Sequence, residues 1–197
     1  GDFDASIQGW SGVNVNLSRD TAAANRLDGA GALRASGQLS YSSNIFGAQI
    51  VGPRVPVTKG KEYTLVFSAK AGKHRDVKAS VGGASGKFAI PDRWARRVMT
   101  FTADTTASQT VSFLVGRDDT PVWIDSVYLF EGNADIFRRD FDGGIVVVNA
   151  TERARTVDLG ETFQRIQGTG QDPINNGQRL RSVTIDPWDA AILVRIP

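Results

Sequence analysis

The stretch that most constrains the fold is Pro121 to Phe130, PVWIDSVYLF. It alternates at a period of two, the signature of a β-strand. Val122, Ile124, Tyr128 and Phe130 fall on one face, and Trp123, Val127 and Leu129 on the other. Pro121 is tolerated because it holds the first strand position, where no ladder hydrogen bond is lost. Asp125 breaks the pattern by placing a carboxylate among Trp123, Val127 and Leu129. Buried and unpaired, it would cost several kcal/mol, so it requires a partner, a cation or a place at a sheet edge.

This strand also marks a seam. Before it the chain is rich in Gly, Ser and Thr, and past EGNAD a different pattern begins. A length of 197 residues allows one or two domains. With 41% apolar residues, 21 glycines and many Val, Thr and Phe, the chain reads as all-β. The best helical stretch, Asp20 to Leu27, supports one or two turns at most. Glu62 to Ala71 is the clearest strand of the first half, with Tyr63, Leu65, Phe67 and Ala69 on one face. Eight to ten such short strands, separated by turn signals, predict a jelly-roll β-sandwich over residues 1–131. Six more over 135–197 predict a small second β-sandwich-like domain. Val127 and Leu129 belong to the first predicted core, and Val146, Val148, Ile192 and Val194 to the second. Asn149 ends an apolar strand and reads as a turn residue.

Composition excludes several functions. Basic and acidic residues are interspersed and the net charge is only +2, which leaves no nucleic-acid footprint. The densest basic cluster, Arg93, Arg96 and Arg97, reads as a solvated strand face. There is no cysteine, hence no disulfide and no thiolate metal site. The longest apolar run, Ile145 to Val148, is far too short to cross a membrane as a helix. The opening GDFDASIQGW reads as a module boundary with no signal peptide. Catalysis lacks its parts as well. The one histidine, His74, lies in a loop-like stretch with no nucleophile elbow nearby. Glu62, Glu131, Glu152 and Glu161 sit at turns or element ends, where solvated carboxylates belong, so the chain reads as non-enzymatic.

In order along the chain stand GDFDASIQGW, GALRAS, TKGKEYTLVFSAKA, WARRVMTFTADTT and the closing VSFLVG and VWIDSVYLF. This ordered set resembles the carbohydrate-binding modules of families 4, 9 and 22 over Gly1 to Glu131. The resemblance implies a jelly roll that binds polysaccharide or oligosaccharide without cutting it. RRDFDGGIVVVNAT, RTVDLGETFQRIQGTGQDPINNG and DPWDAAILVRI resemble the small β-domain that ends many bacterial glycoside hydrolases. Together they imply the accessory part of a secreted, extracellular glycoside hydrolase, with that enzyme's catalytic domain as partner.

The resemblance also implies site residues. Such modules hold a structural Ca²⁺ between the first and closing strands. The matching positions are Asp4 and Asp125, with Asp2 as a third candidate, and hard carboxylate oxygens suit that ion. The glycan of such modules lies across the concave sheet. Candidates to face it are Tyr41, Phe46, Gln49, Ser68, Lys70, Lys78 and Arg117. Gln49 and Arg117 suit bidentate bonding to hydroxyls. Which face is concave stays open at this point. Trp10, Trp94 and Trp123 occupy positions used for packing, and Tyr41 to Ile50 contains no Trp. That departure weighs against cellulose or xylan as ligand. The alternatives are a purely structural pair of domains bracing a catalytic barrel, or a small sandwich-fold lyase or hydrolase.

Overall fold

Among the described residues, ten strands fold the first part of the chain: β1 (Ser11–Val13), β2 (Asn16–Asp20), β3 (Ala32–Ser36), β4 (Gln49–Val57), β5 (Glu62–Ala71), β6 (Arg75–Val81), β7 (Ala84–Ile90), β8 (Ala95–Thr102), β9 (Ala107–Leu114) and β10 (Val122–Glu131). The computed structural model describes residues 1–37, 43–170 and 174–196. The strands form two five-stranded antiparallel sheets, ordered β1-β4-β9-β6-β7 and β2-β3-β10-β5-β8. Their apolar faces meet. Phe67 of β5 crosses to Phe113 of β9 at 4.9 Å and to Phe88 of β7 at 5.3 Å between ring centroids, both edge-on. Leu33, Ile50, Leu65, Val77, Ile90 and Ile124 fill the layer between. Phe3 and Trp10 close one side, with Trp10 stacked 6.0 Å from Phe113. Gly52 permits that seat, because a Cβ there would stand 2.7 Å from the Trp10 ring.

As expected, Tyr63, Leu65, Phe67 and Ala69 share the inner face of β5. The face expected for β10 needs correction. Ser126 has a φ of 51°, and the pairing to β5 shifts between Asp125 and Tyr128. The bulge inserts an extra residue and flips the alternation downstream. Val122 and Ile124 before it, and Val127 and Leu129 after it, therefore all face the core. Tyr128 and Phe130 are 54% and 41% exposed on the outer face. The Asp20 to Leu27 stretch shortens to a single 3₁₀ turn at Ala23–Asn25, whose Ala22 N–H donates to Asp20.

The chain divides into two compact units, Gly1–Gly132 and Asn133–Pro197. The second holds β11 (Ile136–Phe141), β12 (Gly144–Asn149), β13 (Arg155–Arg165), β14 (Arg179–Ile185) and β15 (Asp189–Arg195). They form one antiparallel sheet, β11-β12-β15-β13-β14. β13 runs between β15 and β14 and pairs with both at Phe163 and Gln164, and its register with β14 shifts between Asp158 and Phe163. The core is Ile145, Val147, Leu159, Phe163, Val183, Ile185, Ala191 and Leu193. This reverses the face expected for Val146, Val148, Ile192 and Val194, of which Ile192 is 59% exposed. Both faces of GIVVVN and AAILV are apolar, so alternation alone does not choose between them. Asn149 is fully buried. It ends β12, as expected, and its amide donates to the carbonyls of Arg153, Ile185 and Asp186 and accepts from Thr151, so its side chain organises the loop that follows.

Two neighbours on β15 test the second register. Leu193→Ala should destabilise the unit by about 2–5 kcal/mol, as for other buried leucines. Ile192→Ala should cost less than about 1 kcal/mol. Chemical denaturation of the two variants measures both, and equal losses would overturn the assigned faces.

Candidate functional site

The outward face of the first sheet is built by register. Gln49 and Lys78 both lie opposite Leu114, Lys78 lies opposite Lys87, and Val13 opposite Gln49. Directly opposed residues share a face, so these five form one row across the sheet. Ser11, Val51, Ser112, Ser80 and Ser85 form the next row. Their strand neighbours Ile50, Phe113 and Ala79 are in the core, which turns both rows outward.

Beside the first row stands the 3₁₀ turn Ile45–Gly47, which carries Phe46 with 49% of its surface exposed. The turn is pinned at several points. Asn44 accepts from Phe46 N–H at 3.1 Å, and Gln49 donates to the Phe46 carbonyl at 3.0 Å. Gly116 N–H donates to Ile45 at 3.0 Å and Arg117 Nε to Ser43 at 2.7 Å. The Lys78 ammonium lies 5.0 Å from the Phe46 ring centroid, a cation–π contact.

Arg75 anchors the neighbouring loop from below. It is 3% exposed and donates to the carbonyls of Asp118 and Thr120 at 2.6 Å, Gly116 at 3.2 Å, and Val115. Burial pushes its guanidinium down from the usual arginine range, and the charges of Asp118, Asp119 and Asp76 oppose that shift. Asp118 is held below the usual carboxylate range chiefly by hydrogen bonding from Thr120. Between this loop and β6 lies a cleft of about 330 Å³ lined by Ile45, His74, Asp76, Lys87, Arg117 and Asp118. Lys87 pairs with Asp76 at 2.7 Å across its floor.

Of the residues expected to face a glycan, Phe46, Gln49, Lys78 and Arg117 gather at this one face. Tyr41 lies outside the described residues. Ser68 and Lys70 stand on the outward face of the second sheet instead, opposite Asp125 and Trp123. Lys70 donates to the Ala24 carbonyl at 2.6 Å and to Asn25 at 2.8 Å, with its ammonium 4.9 Å from the Trp123 ring. Trp123 is buried and donates to Asp20 at 2.8 Å. Lys87, Asp76, Ser80 and Ser112 join the first-sheet face without having been singled out from sequence. Only the β6–β7–β9 register reveals them, and a single sequence carries no register.

A second arrangement surrounds Asp125. The carboxylate is fully buried; one oxygen accepts from Ser126 N–H at 2.7 Å, and Oδ2 has no hydrogen-bond partner among the described residues. Burial, and then the charges of Asp28 and Asp4, push its pKa up to about 6, against backbone hydrogen bonds that lower it. Asp4, as expected, comes to this corner. It accepts from Ala30 N–H at 2.5 Å, packed so closely on Gly29 that no Cβ fits there. Asp2 is exposed and accepts from Asp4 N–H at 3.4 Å. Asp28 was not anticipated; its only sequence signal is a DG turn. Among the described residues no group of three or more acidic, histidine or cysteine side chains is placed to hold a metal ion. The donor chemistry still fits a hard cation, because a buried carboxylate oxygen is left open amid acidic charge and carbonyls supply the usual remaining ligands.

The model of the CBM_4_9 family, described as a carbohydrate binding domain, matches residues 1–120. The chain belongs to this family, whose domains are non-catalytic. A solved CBM4 structure superposes with a TM-score of 0.55 at 22% identity, over 66% of this chain and 99% of that one. The N-terminal cellulose-binding domain of Cellulomonas fimi β-1,4-glucanase C gives 0.51 at 24% identity, over 66% and 93%. The CBM22-1 xylan-binding domain of Paenibacillus barcinonensis Xyn10C gives 0.51 at 14% identity, over 68% and 92%. At such identities the likeness is one of fold. No curated protein matches the chain.

The raised pKa of Asp125 sets a pH dependence in metal-free protein. The folded value of about 6 lies above the ordinary unfolded value of about 4. The native state therefore keeps a proton that the unfolded state has released. Stability of the first unit should fall as pH rises from about 4 to about 6 and level off above. Asp125→Asn should remove that component and raise the melting temperature at neutral pH by several degrees. Thermal melts in chelator across this range test it; a difference between wild type and variant that is the same at every pH would contradict the assignment.

Proposed function

We propose that the first unit binds polysaccharide or oligosaccharide chains across the outward face of the first sheet, without cleaving them. The observation that carries this reading is the convergence of Phe46, Gln49, Lys78 and Arg117 on one open face. A half-exposed ring can receive the apolar C–H face of a pyranose. An amide and a guanidinium can take hydroxyl groups. The cellulose-binding and xylan-binding domains that share the fold support polysaccharide as the ligand class. We further propose that the chain is an accessory part of a secreted, extracellular glycoside hydrolase whose catalytic domain is its partner. The support is the run from RRDFDGG to DPWDAAILVRI in the second unit.

Retention on glycan-loaded native gels tests the binding. Phe46→Ala should weaken it by about tenfold, the scale of one lost aromatic contact. No retention on any glycan would overturn the reading and favour domains that only brace an enzyme. The chain alone should release no reducing ends from a polysaccharide panel; turnover abolished by changing one acid would reverse the non-catalytic assignment.

The corner formed by Asp4, Asp28 and Asp125 is proposed to hold a structural Ca²⁺. Asp125 and Asp4 would be its carboxylate ligands, with Asp2 a further candidate. The ion would neutralise a buried acid and tie the N-terminal segment to β10. Binding to the folded state alone stabilises by about 2.7 kcal/mol at a hundredfold excess over Kd. Calcium should therefore raise the melting temperature of wild type and leave Asp125→Asn unmoved. In chelator the order should reverse, with the variant melting above wild type. An unchanged wild-type melt on adding calcium would remove the metal from this corner.

A further inference from the structure

We infer that the glycan selected by this face is anionic, carrying uronate carboxylates or sulfate esters, and that Lys78 and Arg117 read its charge. The inference rests on the first sheet being the glycan-binding face.

Lys78 is placed unusually for a surface lysine. It lies on β6, between β9 and β7, one strand in from the edge of the sheet. It is half-buried, and its opposed neighbours are Leu114 and a second lysine, Lys87. Like charges directly opposed across a strand pair repel. Lys87 is relieved by Asp76 at 2.7 Å. Among the described residues Lys78 has no carboxylate partner; its ammonium has the Phe46 ring at 5.0 Å.

Arg117 adds a second cation beside the turn that carries Phe46. Its φ of 78° is a conformation that costs a non-glycine residue about 1–3 kcal/mol. Its Nε is fixed on the Ser43 carbonyl, while its terminal amino groups make no bond to a described residue. A guanidinium held by one nitrogen, with the others unbonded among the described residues, matches the paired oxygens of a carboxylate or sulfate. Among the described residues no acid of the cleft is ion-paired with these two cations. Asp76 is taken by Lys87 at 2.7 Å, and Asp118, which keeps its charge while accepting from Thr120 N–H at 2.7 Å, forms no ion pair with Arg117 or Lys78. The aromatic support expected for a neutral chain is thin by comparison. Trp10 is packed on Phe3 and Phe113, and Trp123 is buried on the other sheet, which leaves Phe46 as the exposed ring of this face among the described residues.

The test compares the full chain on three polymers: polygalacturonate, a sulfated galactan and the same galactan without sulfate. At least tenfold tighter binding to one anionic polymer than to the neutral galactan is expected, weakening as salt rises from about 50 to 500 mM because screening shortens the reach of the charges. The anionic polymer retained identifies carboxylate or sulfate as the group read. Lys78→Gln and Arg117→Gln should each lose about tenfold on that polymer, and Lys78→Arg should keep most of the affinity. Arg96→Gln removes a cation from the outward face of the second sheet and should change nothing. Neutral galactan bound as tightly as the anionic polymers would overturn the inference alone. So would an Arg96→Gln loss equal to that of Lys78→Gln, which would mark general cation attraction. Retention on none of the three, with none on a wider neutral panel, would overturn it together with the glycan-binding reading.

Discussion

The bulge at Asp125 and Ser126 is the constraint on which most of the first unit depends. β10 lies at the centre of the second sheet, between β3 and β5. Without the extra residue opposite Phe67, strict alternation would drive Tyr128 and Phe130 into the core and expel Val127 and Leu129. With it, both halves of the strand bury their aliphatic residues on the same side. Ser126 takes a left-handed conformation to allow this, at a cost of about 1–3 kcal/mol. The Asp125 carboxylate accepts from the strained peptide at 2.7 Å, offsetting part of that cost. The same distortion opens the ladder to the N-terminal segment, where Val127 N–H donates to the Gly1 carbonyl at 2.8 Å. One irregularity thus sets the core face, seats the start of the chain and covers the acid.

Much of this was legible from residues alone. The ordered motifs pointed to an all-β jelly roll, and the alternation of β5 was right throughout because its inner residues are large and apolar while Thr64, Ser68 and Lys70 interrupt the other side. The same rule failed on β10. A bulge leaves no compositional mark when the residue in the left-handed conformation is a serine rather than a glycine. It failed again on β12 and β15, where both faces are aliphatic and the pattern carries no phase. At the candidate site, Phe46, Gln49, Lys78 and Arg117 could be named, whereas Lys87, Asp76 and Ser112 could not. Their membership depends on which residues lie opposite one another across three strands. Lys70 was grouped with them because its strand parity was known but not its sheet.

Two buried charges in the first unit show how differently burial can be resolved. Arg75 gives its donors to backbone carbonyls of the 115–120 loop and is satisfied. Removing a buried charge that is fully hydrogen-bonded would strand several carbonyls at once, so Arg75 is a structural clamp that shapes the cleft from beneath. Asp125 is buried to the same degree, yet among the described residues one of its oxygens has no partner and the neighbouring carboxylates are of its own sign. A fold retains such an acid only if something else balances it, either a proton or a cation.

The outward face of the first sheet follows from the same clamp. By fixing residues 115 to 120, Arg75 sets where Gly116 meets Ile45 and where Arg117 meets Ser43. Those two contacts hold the turn that presents Phe46, and Phe46 in turn lies under the Lys78 ammonium. The chain of dependence runs from a buried guanidinium, through a strained loop, to a ring and a cation on the surface. A face assembled this way is largely formed before any ligand arrives, so little ordering entropy opposes binding. The serine row beside it adds short hydroxyls that do not obstruct an extended chain. What distinguishes one ligand from another on such an open face is then less shape than charge, and that is carried by the two cations the fold leaves without a carboxylate among the described residues.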